Sequence, residues 1–98
     1  MEFNMNEKTT IISQSYDVQH DDYYLGVNCD KAITINLPSE SDDGRILIIK
    51  AEMKPPMGNR IITVKAGDTT IDGYGTRTIQ VSNECVRLIY HDKAWRVI

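Results

Sequence analysis

Apolar and polar side chains alternate at every second position along most of this chain, and that period is what most narrows its fold. Residues 23–29 set Tyr23, Leu25, Val27 and Cys29 on one side and Tyr24, Gly26 and Asn28 on the other. Residues 32–37 repeat the pattern with Ile33, Ile35 and Leu37 inward and Thr34 and Asn36 outward. A period of two is the geometry of a strand with one face buried. It returns with Ile62 and Val64, with Ile79 and Val81, with Val86, Leu88 and Tyr90, and finally with Trp95 and Val97. Composition agrees: Ile and Val supply 19 residues against 4 Leu, and 8 Thr add further branching at Cβ, which favours extended backbone. No window carries a helical stripe.

Breaks fall at regular intervals. Pro38 ends one strand and precedes a polar loop over residues 39–44, while Pro55-Pro56-Met57-Gly58 marks an extended, exposed connection. Asp30-Lys31 is read as a hairpin turn joining residues 23–29 to residues 32–37. Gly67-Asp68, Asp72-Gly73-Tyr74-Gly75 and Asp92-Lys93 are further turns. Residues 9–16, with Ile11, Ile12 and Tyr16, fit a lightly buried strand that the polar residues 17–22 interrupt. The run Ile46-Leu47-Ile48-Ile49 lacks alternation, which predicts a strand covered on both faces by a second sheet or by a neighbouring subunit. The expected fold is all-β: one small antiparallel β-sandwich or barrel-like domain of about eight or nine short strands over residues 9–98. A flexible or docking arm over residues 1–8 precedes it.

Function classes are narrowed mainly by what is missing. Eleven Lys and Arg against 14 Asp and Glu are spread along the chain, so no basic face is available to neutralise phosphates and nucleic acid is not an expected partner. Apolar runs of four or five residues exclude a helical membrane span, and residues 1–10 lack the basic start and apolar stretch of a cleavable signal. Cys29 and Cys85 match no metal or redox spacing and read as reduced thiols. His20-Asp21-Asp22 with Asp17 is the densest group of metal-ligand types, yet it lacks the glycine turn and regular oxygens of a calcium loop and reads as a solvated acidic turn. His91-Asp92 has no nucleophile motif beside it, and Asp68 and Asp72 each abut a glycine, so turn formation explains them. No glycine pattern cradles a phosphate. The expectation is a binding or assembly module without catalytic residues, cofactor or metal. Tyr74, between two glycines, is the candidate for exposed recognition.

The order of short motifs carries a resemblance. Leu37-Pro38, Gly44, Ile48-Ile49-Lys50, Asn59, Ile61-Ile62-Thr63-Val64, Gly67, Thr70-Ile71-Asp72-Gly73 and Trp95-Arg96-Val97-Ile98 together resemble the C-terminal trimeric β-domain of bacteriophage tail fibres, head fibres and related virion surface proteins. The resemblance implies a homotrimer at the virion surface, made in the host cytoplasm. It further implies that the outer loops meet other virion proteins or a glycan or protein receptor. Ile71, Asp72 and Gly73 would be the family's turn and Trp95 the aromatic of its last hairpin. The rigid Pro55-Pro56 loop and Tyr74 depart from that pattern. Ile46, Leu47, Ile48, Ile49, Ile71, Trp95 and Val97 are the candidates for core or trimer interface. A monomeric carbohydrate-binding β-module is the alternative expectation.

Overall fold

A computed structural model describes residues 7–98. Nine strands fill it: β1 (Lys8–Ile12), β2 (Tyr16–Asp17), β3 (Asp22–Val27), β4 (Ile33–Asn36), β5 (Ile46–Ala51), β6 (Ile62–Lys65), β7 (Thr76–Ile79), β8 (Cys85–His91) and β9 (Ala94–Val97). They form two mixed sheets, one ordered β1-β3-β5-β8-β9 and the other β2-β4-β6-β7. The expected arm over residues 1–8 lies outside the described residues except for Glu7 and Lys8, and Lys8 already belongs to β1.

The first six strands pass alternately from one sheet to the other, so the chain winds as a flattened coil. Each turn adds one strand to each sheet in parallel: β1, β3 and β5 on one side, β2, β4 and β6 on the other. Only the last strands reverse, β7 against β6, β8 against β5 and β9 against β8. The expected antiparallel architecture is therefore corrected to a mixed one, and the expected hairpin across Asp30-Lys31 is absent. Instead β3 and β4 lie in different sheets, and the amide of Ile33 donates to the carbonyl of Ile61 across the turn of the coil. Alternation could not distinguish the two arrangements, because Leu25 and Val27 face the core just as Ile33 and Ile35 do in either one.

Register stacks like on like. Leu25 faces Ile49 and Ile49 faces Val86 across the larger sheet, while Ile33 faces Ile62 and Ile35 faces Val64 across the smaller. These rows merge into one core that also takes in Ile12, Leu47, Leu88, Tyr90 and Trp95. The Ile46-Leu47-Ile48-Ile49 run resolves into the ordinary alternation: Leu47, Ile49 and Ala51 are fully buried, and Ile46, Ile48 and Lys50 are half-buried on the outer side. Val81, expected beside Ile79, is exposed because β7 ends at Ile79 and a turn follows in which Asn83 has φ 65°. In that turn the Glu84 carboxylate accepts from the amides of Gln80 and Val81.

Trp95 fastens the end of the chain. It is wholly buried, meets Tyr90 edge to face at 5.3 Å between centroids, and donates from Nε1 to the carbonyl of Pro38 at 3.0 Å. The Ile71 turn docks on the same strand: the Asp72 amide donates to the Trp95 carbonyl, and the Trp95 amide to the Thr70 carbonyl. The Pro55-Pro56 loop, whose joining peptide is cis, is exposed, but Met53 and Met57 on either side of it are buried. Arg60 closes that loop by donating to the carbonyls of Lys54, Pro56 and Met57.

Candidate assembly face and loop sites

The outward rows of the two sheets differ in chemistry. On the smaller sheet, register brings together Thr34, Thr63 and Thr78 in one row and Asn36, Lys65 and Thr76 in the next. That face is polar and needs no cover. On the larger sheet one row runs Thr9, Tyr24, Ile48 and Arg87, and its neighbour joins Ile46, Ile89 and Arg96. Tyr24, Ile46, Ile48 and Ile89 are half-buried there, and at the borders Ile11 is 84% and Ile98 56% exposed. Branched aliphatic residues on an outward face leave a solvated strip that water does not reward.

The interface candidates accordingly divide. Leu47, Ile49, Ile71 and Trp95 are buried in the core, and Val97 is half-buried against it. Ile46 and Ile48 point outward. Tyr24, Ile89, Ile11 and Ile98 join them on that face, and sequence reading missed these because it could not tell which strands were neighbours. Tyr74 is 73% exposed in a turn where Ile71 and Tyr74 exchange backbone hydrogen bonds.

Polar groups border the face. Glu52, just past β5, folds back over Gly26 of β3, where a Cβ would stand 2.7 Å from its carboxylate. Tyr24 donates its hydroxyl to Glu52. That bond, with burial second, pushes the Tyr24 phenol up to about 12. Cys85 lies opposite Lys50 at the start of β8 and is exposed, whereas Cys29 is buried and its thiol is pushed up by that burial.

The acidic group around Asp22 has a structural use. Asp22 is buried at 2% exposure, and its carboxylate accepts from Thr10 Oγ1 at 3.0 Å, Tyr16 hydroxyl at 2.7 Å and the Gln19 amide at 2.7 Å. These bonds join β1, β2 and β3 where the coil begins. They close the first turn with satisfied polar groups in place of an open apolar end. Burial first, then the bond to Asp22, pushes the Tyr16 phenol up to about 12. Arg45 clamps the same corner, donating to the carbonyls of Gln19 and Asp22, and its own burial lowers its pKa.

A cleft of about 500 Å³ opens nearby between His20, Tyr23, Asp42, Asp43 and Arg45. Asp43 is held below the usual carboxylate range mainly by the Asp92 amide and then by His91, whose Nδ1 is 3.4 Å away. Among the described residues no three His, Cys, Asp or Glu side chains converge as a metal site. Asp68 and Asp72 sit in exposed turns, Asp72 with φ 50° and its carboxylate toward the Val97 amide. No family model matches the chain, and no curated protein matches it in sequence.

Proposed function

We propose that the chain is a non-enzymatic assembly module of the β-sandwich kind, acting as a homotrimer on the surface of a virus particle. In this reading it is a fibre head or related structural part, made in the host cytoplasm and joined to other virion proteins. The observation that supports it most is the outward face of the larger sheet, where Tyr24, Ile46, Ile48 and Ile89 form an apolar strip bordered by Ile11 and Ile98. The motif order from Leu37-Pro38 to Trp95-Arg96-Val97-Ile98, which resembles bacteriophage fibre domains, supports the virion setting. Light-scattering mass tests the assembly: a species of three 11.2 kDa chains is expected at micromolar concentration, and a persistent monomer overturns it. Host attachment is tested separately by competition with particle adsorption. Protein that neither binds susceptible cells nor competes removes the receptor role.

A second reading, a carbohydrate-binding module, is favoured by Tyr74, an aromatic ring held out from a tight turn. It predicts binding on a glycan array that Tyr74→Ala abolishes.

A further inference from the structure

We propose that Arg87 and Arg96 of one copy clasp the Glu52 carboxylate of the next, so that neighbouring copies meet head to tail across the outer face of the larger sheet. This rests on the assembly reading above and names its contact.

The β8–β9 register pairs Ile89 with Arg96, which leaves Arg87 and Arg96 diagonal on adjacent strands and on the same face. Residues so placed are about 7–8 Å apart, close enough for two guanidinium groups to repel and for one carboxylate to bridge them. Among the described residues neither takes part in an ion pair, the cations of those present being Lys8 and His91. Arg87 is exposed and Arg96 half-buried, and the planar guanidinium fork of either is the half of a contact that a carboxylate completes.

Glu52 supplies the other half. Its side chain lies over Gly26 and is steadied by the Tyr24 hydroxyl, so the carboxylate is held in place on the β3 side of the apolar strip. Arg87 shares the row of Ile48 and Arg96 that of Ile46, four and six residues along β5 from Glu52 and two and three strands away from β3, so the acid and the arginines are too far apart to pair within one copy. Ile46, Ile48 and Ile89 lie between them and would be covered by the same contact.

The closing symmetry follows from polarity. A head-to-tail contact uses two different surfaces of every copy, and a closed ring leaves neither the basic nor the acidic border unmatched.

The test is charge reversal on the full chain, read by light-scattering mass and dissociation constant with circular dichroism as the check on folding. Glu52→Arg and Arg96→Glu singly are expected to weaken the trimer at least about tenfold, and the double reversal to restore it. Arg87→Glu and Glu52→Gln, at exposed positions, serve if Arg96→Glu does not fold. A trimer unaffected by the single reversals, or not regained in the double, overturns the clasp and leaves the trimer standing. A wild-type monomer removes both.

Discussion

Asp22 shows how one carboxylate can be read as surface in a sequence and yet organise the interior. Its neighbours His20 and Asp21 suggest a solvated turn, but Thr10 and Tyr16, which satisfy it, come from β1 and β2 and meet it only through the coil. Asp22→Ala strands these donors and is expected to cost about 3 kcal/mol, measured by urea denaturation. The tyrosines give a pH signature. Tyr16 and Tyr24 both have phenols raised from 10 to about 12, so the protonated forms are favoured in the folded state. Their contribution is fully present below pH 10 and is lost as pH rises toward 12. The fall in stability over that window is expected to shrink in a Tyr16→Phe/Tyr24→Phe variant, followed by denaturation at each pH. Cys29 offers a simpler check: in Cys85→Ser protein it is expected to stay unlabelled by thiol reagents until the chain is unfolded.

At the scale of the element, β5 is the instructive case. Four consecutive aliphatic residues gave no period, and the backbone supplied it: Leu47 and Ile49 face the core, Ile46 and Ile48 face out. Leu47→Asp is expected to abolish folding, whereas Ile48→Asp is expected to keep native circular dichroism and lose the proposed trimer. The β8–β9 turn carries positive φ at both Asp92 (49°) and Lys93 (65°), the geometry that Asn-Gly adopts with least strain. Replacing the pair by Asn-Gly is expected to raise stability by about 0.5–1 kcal/mol in the same denaturation assay, because relief of left-handed strain at Lys93 outweighs the freedom glycine adds to the unfolded chain. This turn was legible because its two residues join antiparallel neighbours. Asp30-Lys31 looked equivalent in sequence and instead crosses between sheets, since the winding sets each strand beside one from the previous turn.

For the whole molecule, the coil and its antiparallel close explain where apolar surface ends up. Trp95 secures the close, and Trp95→Ala is expected to cost about 3–5 kcal/mol, because the ring fills the core and its Nε1 holds Pro38. By itself the sequence determined that the chain is built of strands, where most turns fall, and which aliphatic residues alternate toward a core. Those properties depend on Cβ branching, period and turn chemistry, all of which are local. Only the tertiary structure decided that strands pair in parallel between successive turns of the coil, that Asp22 is buried, and that Arg87, Arg96 and Ile89 share a face with Ile48. Strand partners are chosen by contacts between residues far apart in the chain, and a period of two is the same whichever neighbour a strand takes.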